Sequence, residues 1–254
     1  MWILRQEHLT GSGERADTMP CYFEGKVRMT AKHWMPALRI GIGLTCFGAL
    51  TLDSAETASN PEPPSHVENH TFISPNNPKI RVKVEKRLDY IGEVPFTIDN
   101  VAAGTRYVFV RATHDKHIQQ MFIIQQEGFL PSSDDTYKYR ITNPARLGSF
   151  EYQHSVILDD HAATIREEPG KEADVTQRFL TARGYVLEPE LVMARFARPS
   201  DPQHKHEIIF FCFENLSAYG HTLADLSVDP DSPNIQDIKK KVDENCRGAF
   251  RVNH

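Results

Sequence analysis

Apolar and polar residues alternate along residues 80–85, where Ile80, Val82 and Val84 are separated by Arg81, Lys83 and Glu85. Successive side chains of a strand point to opposite faces, so this alternation marks a half-buried strand. Strands are predicted over 80–88, 107–111 and 118–126, the last carrying Met121, Phe122, Ile123 and Ile124 in succession. Turn chemistry falls between them at Asp99-Asn100, at Gly104 and at Pro131-Ser132-Ser133-Asp134. Short strands at this spacing, with no helical period between them, predict an antiparallel meander over 79–146.

From residue 147 the pattern changes. A strand over 149–158 is followed by a helix over 170–183, with Glu167, Glu168 and Pro169 near its start and Gly184 just past its end. Acidic residues and Pro at the first turn and Gly after the last favour those boundaries. Strands over 191–198 and 206–213 are joined by a hairpin loop at 199–203. The final helix is the clearest element. Ser232 caps it, Pro233 takes its first position, and Ile235, Ile238, Val242 and Cys246 form one apolar stripe. Side chains three and four residues apart share a helix face, and Ser is a favoured cap because its oxygen accepts from a free backbone N–H. Gly248 ends the helix, and 249–252 supplies a last short strand.

Read in order, 147–254 is β-α-β-β-α-β, which resembles the ferredoxin-like arrangement. The resemblance implies a four-stranded antiparallel sheet with both helices on one face. Together with the meander it predicts an α+β fold, 79–146 and 147–254 packed as one globular unit. Within it, Ile208, Phe210 and Cys212 point one way and Ile209, Phe211 and Phe213 the other. A strand apolar on both faces has to be covered on both. The helices cover one face; the meander, or a second subunit of a homodimer, covers the other.

The first 58 residues read as a start region and export signal. An apolar run at 40–52 follows Lys32 and Arg39, which is the order of a secretory signal. As a helix the run is about 20 Å long, short of the roughly 30 Å hydrocarbon core of a membrane, and it contains Gly41, Gly43 and Gly48. No stable membrane span is expected, and the protein is predicted to be exported to a periplasm or the extracellular medium, with at most a loose anchor. Residues 59–78 are rich in Pro, Asn and Ser and read as a flexible linker. Of four cysteines, Cys21 and Cys46 fall in the leader, leaving Cys212 and Cys246. An exported compartment permits a bridge between them, and two buried thiols are the alternative. A net charge of −5 without a long basic run argues against a nucleic-acid partner.

Candidate chemistry is sparse, and no cofactor is implied. His114 and His117 flank Asp115 at a metal-ligand spacing, and His204 and His206 share one side of a strand, with His154 or His161 available to complete a set. A zinc site needs three or four ligands, so each pair reads first as solvated turn or strand-end histidines. His154 and Arg195 are more informative because each interrupts an apolar strand face. Phe150, Tyr152, Val156 and Leu158 flank the first; Leu191, Met193 and Ala197 flank the second. A charge on a buried face costs several kcal/mol, on the order of the effective penalty for an ion out of water, unless it is paired. The expected partners are Glu151, Glu190 or Glu207; otherwise Tyr152, His154 and Arg195 line an aromatic, anion-seeking pocket. The expected function is an exported non-enzymatic binding or interaction domain for a small apolar ligand or an envelope protein. A metal-dependent or histidine-based hydrolase and a structural homodimer are the alternatives.

Overall fold

The computed structural model describes residues 64–226 and 232–253. The signal-like run at 40–52, with Cys21 and Cys46, lies outside the described residues. Those described belong to one compact unit, Asn60–His254.

Two antiparallel sheets are stacked. The smaller has four strands: β1 (His66–Glu68), β2 (Thr71–Ser74), β3 (Ile80–Val84) and, at the far end of the chain, β11 (Phe250–Asn253), in the order β1-β2-β3-β11. The larger contains β4 (Asp89–Ile98), β5 (Ala102–Ala112), β6 (Ile118–Phe129), β7 (Pro144–Leu147), β8 (Phe150–Asp160), β9 (Glu190–Pro199) and β10 (His206–Asn215). Its order is β4-β5-β6-β10-β9-β8-β7. Helices α1 (His161–Glu167) and α2 (Glu172–Ala182) connect β8 to β9. After β10 come a 3-10 turn at Leu216–Tyr219, the short α3 (Leu223–Leu226) and α4 (Pro233–Arg247). No described helix is long and apolar enough to cross a membrane.

The strand read as apolar on both faces organises the core. Ile208, Phe210 and Cys212 of β10 face a cluster formed with Phe109, Phe122, Phe196 and Tyr152 of neighbouring strands. The small sheet covers this cluster through Phe72, Val82 and Phe250, and α4 covers it through Ile235, Ile238 and Val242. Phe250 stacks on Phe122 with ring centres 4.6 Å apart. On the other face, Ile209, Phe211 and Phe213 join Val108, Ile123 and Met193 beneath Phe179 and Leu180 of α2. Each fully buried side chain of this size contributes about 1.5–3 kcal/mol, so both covers are integral to stability.

The α+β composition and the antiparallel pairing of β5 with β6 agree with the sequence reading, but the strand expected over 80–88 forms only over Ile80–Val84 and pairs with β2 and β11 in the small sheet, its place beside β5 being taken by β4. Helix α4 begins as expected, with Ser232 accepting from the Ile235 N–H and Pro233 in the first turn. The ferredoxin-like order does not form. Strands β8 and β9 are direct antiparallel neighbours, so α1 and α2 make no crossover between parallel strands. Strand β11 leaves the large sheet and pairs with β3, Phe250 opposite Val84 and Val252 opposite Val82. The reason is matching alternation: Phe250 and Val252 are buried and Arg251 and Asn253 exposed, which complements the half-buried β3. In consequence α2 and α4 lie on opposite faces of the large sheet. The face offered to a homodimer partner is covered by the chain itself.

The segment read as a flexible linker also carries structure, since β1 and β2 lie inside it. Asn69 and His70 both adopt positive φ, 48° and 57°, the conformation that a two-residue hairpin turn needs to match strand twist. Phe72 is 0 % exposed and sits 4.7 Å from the Tyr107 ring. Gly104, read as a turn, lies within β5. A Cβ there would come within 2.5 Å of the Gln126 carbonyl oxygen and the Phe96 ring, so the glycine admits close strand contact.

Cys212 of β10 and Cys246 of α4 are bridged, 34 residues apart in sequence and 5.6 Å between Cα atoms. Closing a loop of that length restricts the unfolded chain by about 3–5 kcal/mol. Replacing either cysteine by Ser should therefore lower urea-unfolding stability by about that much, matched by wild type under reductant. Phe72→Ala should cost about 3–5 kcal/mol, the usual range for a core Phe; an unchanged midpoint would mean that the β1–β2 hairpin is peripheral after all.

Candidate functional site

The α2-facing side of the large sheet has a buried polar cluster at one end of its apolar cover. Arg106 on β5, Gln125 and Glu127 on β6, and Glu207 on β10 are 4 %, 2 %, 8 % and 5 % exposed. Strand register sets this: Arg106 stands opposite Gln125, and Glu127 directly opposite Glu207. The Arg106 Nε donates to Gln125 Oε1 at 2.5 Å, while its Nη1 donates to the Glu172 carbonyl and to Thr176 Oγ1 of α2, both at 2.8 Å. Its guanidinium lies 5.5 Å from the Phe211 ring centre and 5.6 Å from that of Phe96. Burial brings its pKa down to about 10 against the support of Glu172 and Glu127, so Arg106 remains a cation at neutral pH.

The carboxylates are capped from outside by one irregular segment, residues 130–143. Tyr137 donates its hydroxyl to Glu127 Oε1 and Tyr139 to Glu207 Oε2, each at 2.9 Å. Gln125 Nε2 donates to Glu127 Oε2 at 2.5 Å. Burial pushes the Glu207 carboxyl well above the usual range, and the neighbouring Glu127 adds to the shift. Arg195 and the Tyr139 hydroxyl act the other way without cancelling it. Both tyrosines are held above their ordinary value, by burial first and then by the two carboxylates.

Beside this cluster is an open groove of about 740 Å³ lined by Tyr139, Ile141, Arg146, Phe150, Arg198 and Pro199, among others. A second groove of about 430 Å³ meets it at Phe150, Arg198 and Ser200 and runs along Pro75–Lys79. The Arg198 guanidinium stacks 4.1 Å from the Phe150 ring centre, on the wall that the two grooves share. Arg146 and Lys79 are exposed along the rims.

The three residues expected to form one pocket are divided between the faces of the sheet. His154 is opposite Phe196 in the β8–β9 ladder, whereas Arg195 is opposite Ser155, one step out of phase. Tyr152 is fully buried in the core, its ring 5.4 Å from Phe210. His154 stacks on Phe196 at 4.6 Å and places Nε2 2.9 Å from Asp243 Oδ1 of α4. Burial opposes charge on Asp243, but His154 and Arg247 together outweigh it and hold the carboxyl below its usual range. His154 thus fastens α4 to the sheet. Arg195 lies on the same face as Glu207, one of its expected partners, and supplies it with positive charge.

The other histidines have local roles. His206 Nδ1 lies 2.5 Å from Asp201 Oδ2 within the β9–β10 loop, and the His204 Nδ1 lies 3.1 Å from the Tyr137 carbonyl oxygen. His114 and His117 are exposed in a tight turn closed by the Thr113 N–H on the His117 carbonyl. His161 is buried with Nδ1 3.7 Å from Asp159 Oδ2. Among the described residues no group of three or more potential ligands is placed to hold a metal ion.

The acid pair was missed in the sequence, although its signal is there: Glu207 shares the phase of Ile209, Phe211 and Phe213, as Arg195 shares that of Met193 and Ala197. Which two charges meet depends on a register that a single strand does not carry. No family model, no curated protein and no solved structure matches the chain.

Arg106→Leu should destabilise the protein by about 3–5 kcal/mol, as removal of one partner from a buried ionic network does, and should speed amide exchange across residues 172–182. Arg106→Lys should restore little, because one ammonium cannot reproduce donors spread over a planar fork.

Proposed function

We propose that the chain is an exported, non-enzymatic interaction domain, and that its ligand is an extended, carboxylate-bearing segment of another envelope protein held along the two joined grooves. The observation that carries this reading is Arg198 stacked on Phe150 where the grooves meet. A guanidinium over an aromatic ring offers its in-plane donors to a carboxylate while the ring supplies apolar contact. Arg146 and Lys79 extend positive charge to either side. Of the nearby acids, Asp201 is engaged by the backbone N–H groups of Lys205 and His206 and by the His206 ring; Glu151 stands opposite Arg146 in the β7–β8 ladder.

An extended partner suits the shape better than a small apolar molecule. The apolar surface of the large sheet is committed to internal contacts on both faces, and the space that remains is open and polar at its edges. The Cys212–Cys246 bridge supports the exported compartment, since such bridges persist where the surroundings are oxidising.

A fluorescently labelled, glutamate-rich peptide titrated with the full-length protein tests the reading by anisotropy. Binding should weaken with added salt, and Arg198→Ala should weaken it about thirtyfold, equivalent to about 2 kcal/mol for a buried Arg anchor. Arg198→Lys should recover only part of that loss. An affinity indifferent to Arg198→Ala, or no binding at low salt, would remove the groove as the site.

A further inference from the structure

We propose that residues 137–141 form a strap latched to the large sheet by a proton held between Glu127 and Glu207, and that loss of this proton frees the strap and widens the groove.

The segment 130–143 has no regular secondary structure, and from 137 to 141 only Tyr137 and Tyr139 are even half-buried. It is pinned on either side of the strap by hydrogen bonds to Lys205 and Gln153. At one end Lys205 Nζ donates to the carbonyls of Ser133 and Asp135, both at 2.8 Å. At the other, Gln153 Oε1 accepts from the N–H groups of Thr142 and Asn143 at 2.7 and 3.2 Å. Between these pins the Tyr137 N–H donates to the His204 carbonyl, the His204 ring Nδ1 lies 3.1 Å from the Tyr137 carbonyl oxygen, and the Tyr137 ring packs 4.7 Å from Phe129. Tyr139, further along, packs against the apolar cluster under α2 and donates its hydroxyl to Glu207. Tyr139 and Ile141 are also the strap residues that wall the larger groove.

The closed strap excludes water from two carboxyl groups that face each other across adjacent strands. Two bare carboxylates in that position repel, and burial penalises each. Holding one proton between them relieves both costs. The charged and titratable groups facing the pair are Arg106 from β5, Arg195 from β9 and the two strap tyrosines, with Glu172 of α2 acting on Arg106. Arg195 and the Tyr139 hydroxyl favour the ionised form but do not overcome burial and the Glu127 charge. Closure therefore takes up a proton, and opening returns it to solvent water and leaves two hydrated carboxylates.

The sign follows by linkage. A carboxyl whose value is raised in the closed state favours closure most fully at low pH, and that preference is lost as pH rises above the ordinary value of 4.5 and through the raised one. The wall of the groove would thus yield on the alkaline side and set on the acidic side.

Hydrogen exchange of peptides spanning 130–143, measured on the full-length protein from pH 5 to 9 and corrected for intrinsic exchange, reads the strap directly. Protection of 137–141 should fall at least tenfold across that range while 118–126 stays protected. Glu207→Gln keeps an acceptor for Tyr139 but carries no charge, so its strap should stay protected at every pH. Tyr139→Phe should lose protection at every pH. Because a buried variant can misfold, Glu127→Gln serves as the second test and should give the same flat profile. Equal protection at all pH in the wild type, or an unchanged pH profile in a folded Glu→Gln variant, would overturn the proposal. The readout involves no ligand, so it stands or falls separately from the peptide-binding test.

Discussion

Strand β10 imposes the condition that the rest of the molecule meets. Its residues from Glu207 to Asn215 are buried on both sides, so it can exist only between two covers. One is a second sheet with α4, the other is α2. Once β10 lies between β6 and β9, the remaining strands extend outward from it. The chain supplies both covers itself, from segments far apart in sequence: β2 and β3 near the start of the unit, α2 in the middle, and α4 with β11 at the end.

Several polar groups that enter this interior fasten a helix to the sheet. Arg106 is buried with donors directed to Gln125, Glu172 and Thr176, so a cation deep under α2 becomes a fastening for that helix. On the opposite face His154 and Asp243 do the same for α4. Glu127 and Glu207 differ, because two like charges cannot answer each other. They need either a proton or water, and the segment laid over them controls the supply of water.

Local elements were legible in the sequence because their signals are local. The cap at Ser232, the stripe Ile235-Ile238-Val242-Cys246 and the two-faced pattern of β10 each depend on a few adjacent residues. Strand β4 is absent from the sequence reading, and it contains Gly92 and Pro95, two residue types that weaken a strand signal. It lies at the sheet edge, where the missing Pro95 N–H costs no ladder bond. The β1–β2 hairpin was hidden because Asn69-His70 sits among prolines that mark a linker by composition, while the burial of Phe72 depends on Tyr107 some distance along the chain. The sheet to which β11 belongs, the faces taken by α2 and α4, and the meeting of Glu127 with Glu207 are matters of non-local pairing. Their residues were visible as apolar or as interruptions of apolar faces; their partners were not. For the same reason His154 and Arg195 looked like companions, whereas a one-residue difference in phase puts a sheet between them.

The bridge between Cys212 and Cys246 has a meaning beyond stability. It joins a central strand to the last helix around a loop that contains the turn at Leu216–Tyr219, α3 and all but the end of α4. A single protease cut within that loop would leave two polypeptides still joined covalently, the shorter one contributing a strand to the small sheet. In an environment rich in proteases, the molecule could be nicked on its exposed side and keep its architecture, and the damage would show only when the bridge was reduced.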